Sequence, residues 1–160
     1  MYDLTYRDVD SDDFDVIHKM ASDWNIVRQL GSWPWPPDPA YSKRRSEPYT
    51  GNGFVWAVCN AGKICGTVCV THGELGYCLD PAFAGRGITT QAAAAAISHA
   101  FATSDIDRID AHVWHDNPAS VRVLAKLGFL HWFSAYEMSN VRKTPVLSQS
   151  HRLLRSDWTA

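Results

Sequence analysis

The spacing of apolar residues changes twice along the chain. In SDDFDVIHKMASDW (residues 11–24), Phe14, Ile17, Ala21 and Trp24 recur at helical spacing, which predicts a helix with these four side chains toward the core. Ser11 is its expected N-cap, and Asp12 and Asp13 complement the dipole in the first turn. Upstream, TYRDV (5–9) reads as a short strand. From residue 54 the period shortens: FVWAVC (54–59) and KICGTVCVT (63–71), joined at NAGK, predict an antiparallel hairpin, and GELGYCLD (73–80) a further strand ended by Pro81. A helix opening near Thr89 follows, then a largely buried strand, RIDAHVWH (108–115). In NPASVRVLAKLG the period lengthens again, with Asn117 as N-cap, Pro118 at the first helical position and Gly128 as the stop. FLHWFSAYEM (129–138) and LSQSHRLLRSDW (147–158) read as two closing strands. The order βα(α)βββαβαββ predicts an α/β chain with one mixed sheet and helices on its faces.

Between the first helix and the hairpin, GSWPWPPDP (31–39) holds four prolines and two tryptophans, which exclude a helix interior and a central strand. This is a loop, with a short helix expected around 40–46. Its rings either pack over the core edge or wall a pocket, with Trp33, Trp35 and Tyr41 as the candidates.

Composition adds exclusions. With 160 residues, 46% of them hydrophobic, the chain has the size of one domain, 1–160, with no repeat or linker to divide it. A net charge of −2 leaves no basic footprint for nucleic acid. No apolar run approaches a membrane span, and Met1–Asp15 is too acidic for a signal peptide, so a cytoplasmic protein without a membrane partner is expected. Cys59, Cys65, Cys69 and Cys78 lie in strand-like stretches without a CxxC pair, as expected of buried thiols. His72, Glu74, His112, His115 and Asp116 include metal-ligand residue types, but His112 and His115 sit three apart on a strand and point to opposite faces. No metal is expected.

The chemistry concentrates in PAFAGRGITTQAAAAAI (81–97). A strand ending at Asp80, a turn carrying Gly85 and Gly87, and a helix after it make an anion site: the first helical N–H groups lack internal partners, and glycines let a phosphate approach. Arg86 adds a charge, and Thr89 and Thr90 add hydroxyls. The turn lacks the GKS or GKT of a P-loop, and Thr90 stands where a dinucleotide fingerprint has its third glycine.

GELGYCLDPAFAGRGITTQA, followed by DRIDAHVWHDNPASVRVLAKLGF, resembles the GNAT superfamily of acyl-CoA-dependent N-acetyltransferases. Within it the chain is most similar to the RimJ/RimL-type branch of ribosomal-protein alanine N-acetyltransferases. The branch motif E-x-G-Y-x-L-x-P falls on Glu74, Gly76, Tyr77, Leu79 and Pro81, and N-x-x-S-x-x-V-x-x-K-x-G-F on Asn117, Ser120, Val123, Lys126, Gly128 and Phe129. The resemblance implies a GNAT domain with a mixed, mostly antiparallel sheet of about six to seven strands, splayed between the two central ones. It implies acetyl-CoA as co-substrate, with Ala84, Gly85, Arg86, Gly87, Ile88 and Thr89 around the pyrophosphate and Thr90 beside them. Cys78 and Leu79 would pair with the pantetheine arm, and Asn117, Ser120 and Lys126 would face the cofactor from the following helix. Two positions depart from the family turn, Ala84 for Arg or Gln and Thr89 for Gly or Ala, and neither removes a backbone amide.

Attack of a neutral amine on the thioester needs a base, an oxyanion donor and a proton for the leaving thiolate. Glu74 is the candidate base, acting through water, with a salt-bridged strand carboxylate as its alternative reading. A backbone N–H near Cys78 or Leu79 is the oxyanion donor. The family's proton-donating tyrosine is replaced by Leu124, which leaves Ser120, or beyond it Tyr136, as the substitute. The acceptor is a primary amine, a protein N-terminus or a small molecule, and the protein a monomer or a homodimer. The competing reading is a regulatory module that holds acyl-CoA without turning it over.

Overall fold

The computed structural model describes residues 2–159. Seven strands form one sheet: β1 (Leu4–Asp8), β2 (Gly53–Asn60), β3 (Lys63–Thr71), β4 (Glu74–Leu79), β5 (Arg108–Trp114), β6 (Leu130–Met138) and β7 (Pro145–Leu154), in the order β1-β2-β3-β4-β5-β7-β6. Every neighbouring pair is antiparallel except β4 and β5, so the sheet is mixed and mostly antiparallel, as expected. The helices are α1 (Phe14–Ala21), α2 (Trp24–Val27), α3 (Pro39–Arg45), α4 (Ile88–Thr103) and α5 (Pro118–Lys126).

Alternation along the strands separates two cores. Val58, Val68, Leu75, Ile109, Ala111 and Leu153 point to the face covered by α4 and α5. Val9, Ala57 and Cys59 point to the opposite face and meet Ile17 and Met20 of α1. Alanines dominate the buried side of α4, with Ala93 and Ala96 fully enclosed, so its backbone lies close to the sheet. Enlarging either would overpack that contact, at a cost of about 1–3 kcal/mol.

Four expectations need correction. The helix expected over 11–24 is three pieces: a 3-10 turn at Ser11–Asp13, then α1, then α2. Asp10, not Ser11, is the cap, because Asp10 and Asp13 accept from each other's turn in a capping box. Asp13 also takes the Arg7 guanidinium through both oxygens, at 2.6 and 2.7 Å. Asp23 then caps α2 by accepting from the Asn25 amide at 2.8 Å. That second start turns Trp24 outward, 42% exposed, instead of into the core. Finally, the last strand ends at Leu154, and Arg155–Asp157 form a 3-10 turn.

Candidate active site

The sheet comes apart between its two central strands. β3 and β4 share six ladder pairs and β5 and β7 seven, whereas β4 and β5 share one, Glu74 opposite Asp110. A backbone bond from the Asp110 amide to the Gly73 carbonyl, 2.9 Å, closes the same end. Beyond it the parallel strands diverge, leaving a cleft between Leu75–Leu79 and Ala111–Trp114. The splay expected from the resemblance is therefore present.

The glycine turn stands at the open end of this cleft. Gly85 and Gly87 adopt φ of 74° and 78°, the left-handed region that side chains disfavour, and a Cβ added to either would meet no atom within 4 Å. Ala84 through Gly87 are exposed. Gly87 is the N-cap of the 16-residue helix α4 and no side chain caps that end, so the amides opening α4 face outward without an intrinsic partner. The first amide bonded back into the helix is that of Gln91, to Gly87 at 3.1 Å. Arg86 leans over the Phe83 ring at 5.9 Å. Asp80, just before the turn, is matched by Lys19 Nζ at 2.8 Å. That bond, with the Ala82 amide, holds its carboxyl below the usual range. Backbone, glycine and helix terminus thus fit a phosphate group.

Alternation on β4 divides the remaining candidates between faces. Leu75, Tyr77 and Leu79 pack with α4 and α5, and Cys78 packs with α1. On the first face the Tyr77 hydroxyl meets Ser120 Oγ at 2.6 Å, bridging β4 to the first turn of α5. Burial pushes the Tyr77 phenol up to about 12 against the opposing pull of Ser120, so it is protonated at neutral pH and available as a donor. Asn117 caps α5, its Oδ1 accepting from the Ser120 amide at 3.2 Å, which leaves its side-chain NH2 uncommitted. Leu124 is buried in the core at 1% exposure.

On the other face Glu74 Oε1 lies 3.4 Å from His112 Nε2, and His112 Nδ1 lies 3.0 Å from Ser150 Oγ. Carboxylate, imidazole and hydroxyl form a chain across β4, β5 and β7. Glu74 is well exposed at the closed end of the cleft, four residues, about 13 Å, from Cys78 along the strand. Cys78 sits with its thiol 3.7 Å from Met20 Sδ, and burial pushes it up to about 12. Burial also raises the Cys65 and Cys69 thiols, so none of these three is a ready nucleophile.

The same face holds a small cavity reaching Cys78, between α1, the proline loop and α3. Trp33 lines it and meets Tyr41 edge-on at 5.2 Å. Trp35 is not part of this group; it pairs with Trp24 at 5.1 Å. Arg45 also lines the cavity, with its guanidinium 5.5 Å from the Trp33 ring centre. At the end of β5, Asp116 accepts two bonds from Arg142, both 2.9 Å, and one from Arg28 at 3.2 Å, tying the β6–β7 loop to the segment after α2.

Lys126 is exposed in the last turn of α5, about 9 Å along the helix from Ser120. Tyr136 is 75% exposed on β6, two strands beyond β5, and does not reach the cleft. His72 and His115 are exposed. Among the described residues no cluster of three His, Cys, Asp or Glu is placed to hold a metal ion, and no helix is long and apolar enough to cross a membrane. Sequence reading missed the chain from Glu74 to Ser150, the Tyr77–Ser120 bond and Arg45. Each joins residues far apart in sequence, and nothing in the local pattern marks them.

Comparison with known proteins places this geometry. The family model described as an acetyltransferase (GNAT) domain matches residues 3–130. The probable N-acetyltransferase YjcK of Bacillus subtilis (strain 168) is 44% identical over 55 residues, a stretch spanning 34% of this chain and 30% of that relative's length. Among solved structures, the ribosomal-protein-S5-alanine acetyltransferase from Vibrio fischeri superposes with a TM-score of 0.78 at 22% identity, over 100% of this chain and 97% of the other. The spermidine N-acetyltransferase from Vibrio cholerae, in complex with CoA and spermine, superposes with a TM-score of 0.78 at 19% identity, over 96% of each chain.

Proposed function

The chain belongs to the GNAT acetyltransferase family, and from that premise we propose that it transfers an acetyl group from acetyl-CoA to a primary amine by direct attack within a ternary complex. The observation that carries this reading is the splay between β4 and β5, with an uncapped, glycine-led helix terminus at its mouth.

Acetyl-CoA supplies the activated acetyl thioester. The amides of Gly85–Thr90 and the Arg86 side chain hold its pyrophosphate. The backbone of Cys78 and Leu79 binds the arm in the cleft, joined from α5 by the free amide of Asn117. An N–H of the same strand serves the oxyanion, in place before the reaction begins. Glu74 takes the amine proton through water, and His112, hydrogen-bonded to Ser150, braces the carboxylate. Ser120 gives its proton to the departing thiolate. Tyr77, whose phenol stays protonated, donates to Ser120 Oγ and turns the serine hydrogen toward the cleft. Base and acid thus lie on opposite faces of β4, so the amine approaches from the α1 side and the thiol leaves on the α5 side. The thiols of Cys65, Cys69 and Cys78, held protonated by burial, favour direct transfer over an acyl-enzyme.

The test combines thermal stabilisation by acetyl-CoA with thiol release across an amine and peptide panel. The expected outcome is stabilisation, turnover with at least one amine, and a fall of about 100-fold in kcat for Glu74→Gln with acetyl-CoA binding retained. Stabilisation without turnover on any amine would favour the non-catalytic module; no binding at all would refute both.

A further inference from the structure

Resting on the transferase reading, the geometry points to an acceptor that carries a carboxylate near its reactive amine, bound by Arg45. The aromatic wall around Trp33 and Tyr41 invites comparison with cages for cationic ligands. Here those rings are already taken by the protein's own cations. Arg45 lies over Trp33 at 5.5 Å and Arg44 over Tyr41 at 5.4 Å. Lys43, Arg44 and Arg45 form the last turn of α3, and among the described residues none of them makes an ion pair. A polyamine entering this recess would meet like charge and find the ring faces occupied. An anion would meet a guanidinium with no carboxylate partner among the described residues, whose planar fork matches a carboxylate.

The rest of the recess agrees. The cavity itself, about 30 Å³, has room for water only, so the acceptor lies at its mouth, where Arg45 is exposed, Leu30 and Val55 are half-buried apolar surface and Thr67 offers a hydroxyl. A carboxylate on Arg45 therefore leaves the amine end of the acceptor toward β4, on the face that carries Glu74. The carboxylate can belong to a free amino acid or to an acidic side chain near a peptide N-terminus; the chemistry at Arg45 is the same.

The test uses matched pairs: leucine against leucinamide for the first source, and Ala-Asp-Ala-amide against Ala-Asn-Ala-amide for the second, with spermidine as the cationic control. Thiol release should favour at least one carboxylate member over its neutral partner by about tenfold or more in kcat/KM, with spermidine poorest. In Arg45→Ala that ratio should fall to near one while thermal stabilisation by acetyl-CoA persists; Arg45→Lys should recover part of it. Equal rates within both pairs, preference for spermidine, or an unchanged ratio in Arg45→Ala would overturn the inference. Should no amine be turned over, equilibrium dialysis of the same pairs decides separately. Binding of a carboxylate member that Arg45→Ala abolishes upholds the site while removing the transferase reading, and no such binding removes both.

An independent observation concerns the far edge of the sheet, where we infer that β6 seats a second copy of this chain. β6 is the outermost strand and pairs only with β7. Leu130, Trp132, Phe133, Tyr136 and Met138 are 71%, 51%, 51%, 75% and 63% exposed. They occupy both faces: Tyr136 and Met138 stand opposite Leu147 and Pro145, while Phe133 stands opposite Ser150 beyond a bulge at Trp132. Edge strands are ordinarily blunted by lysine, proline or covering segments. β6 has neither residue, and Glu137 is its one acidic or basic group apart from His131. Summed over the two faces, these side chains expose on the order of 600 Å² of largely apolar surface, against the roughly 800 Å² per partner that a stable interface buries. An identical strand across a two-fold axis matches such an edge on both faces.

Sedimentation equilibrium of the full chain should show a dimer at micromolar concentration. Tyr136→Glu and Met138→Glu, at exposed positions, should give monomers that acetyl-CoA still stabilises. A monomer persisting to about 100 μM, a dimer unchanged in both variants, or a monomer that instead adsorbs to phosphatidylcholine vesicles would each overturn this.

Discussion

The two sides of the cleft are built from different materials. The turn from Ala84 to Gly87 and the start of α4 present main chain: two left-handed glycines, a helix end without a side-chain cap, and amides aimed outward. The α1 side presents side chains instead: Trp33, Arg45, Thr67 and Cys78, brought together from a loop, a helix and two strands. A main-chain site depends on backbone torsion and tolerates exchange of its side chains. A side-chain site changes chemistry with single substitutions while the fold stays as it is. Under the proposed function, this difference would let one scaffold keep its donor while its acceptor varies.

Substitutions can break this contrast or sharpen it. The largest expected effect is Gly87→Val, which puts a β-branched side chain at φ 78° and a Cβ in the path of the anion. Titration calorimetry should show acetyl-CoA affinity reduced by about 100-fold or more, roughly 3 kcal/mol. Arg86→Ala, one residue away, should weaken binding only a few-fold; an equal loss in both would mean that the cradle is not main-chain in character.

Next in size, Ser120→Ala and Tyr77→Phe should each lower kcat by about 10- to 100-fold while the KM for acetyl-CoA changes little. The double variant should be scarcely worse than Ser120→Ala alone, because the tyrosine acts through the serine. Full additivity in that cycle would separate the two residues.

The smallest effect concerns two paired carboxylates, one on β5 and one just after it. Hydrogen bonding from Arg142 holds the Asp116 carboxyl below its ordinary value, and Arg152 does the same for Asp110. A carboxyl depressed on folding adds stability above its unfolded value and loses it as pH falls through the folded one. Chemical denaturation should therefore show these two carboxyls removing stability below about pH 4, beneath a gentler decline that starts at about pH 6.5, where burial holds His151 below its ordinary value and the unfolded chain takes up the proton first. Asp116→Asn should be less stable by about 1–2 kcal/mol at pH 7 and show a shallower acid decline. An acid decline identical to that of the unaltered chain would assign it to other groups.

How much of this was legible in the sequence follows the same division. Gly85, Gly87, Asn117 and Pro118 act within a few residues of themselves, and the turn and both helix starts were legible there. Asp10 capped the first helix in place of Ser11 because Asp13 reciprocates, a detail decided by tertiary pairing with Arg7. Trp33 and Trp35, two apart in one loop, look equivalent in sequence yet join different aromatic pairs. Arg45 reads as one of three ordinary surface cations, and only the placement of α3 brings it to the cavity. The apolar residues of β6 gave no warning of their exposure, since they alternate with neither face.

The divided sheet has a further meaning for cooperativity. β1–β4 and β5–β7–β6 share one ladder pair and one adjoining backbone bond, so the halves are held together mainly by α4 and α5 lying across them. Main-chain groups along Leu75–Leu79 are an internal edge, and under the proposed function an extended ligand arm completing that seam would act as a temporary eighth strand. Amide exchange there should be fast in the free protein and slow when acetyl-CoA is bound. The co-substrate would then be a structural member as well as a reactant, and each turnover would remove a strand from the sheet and restore it.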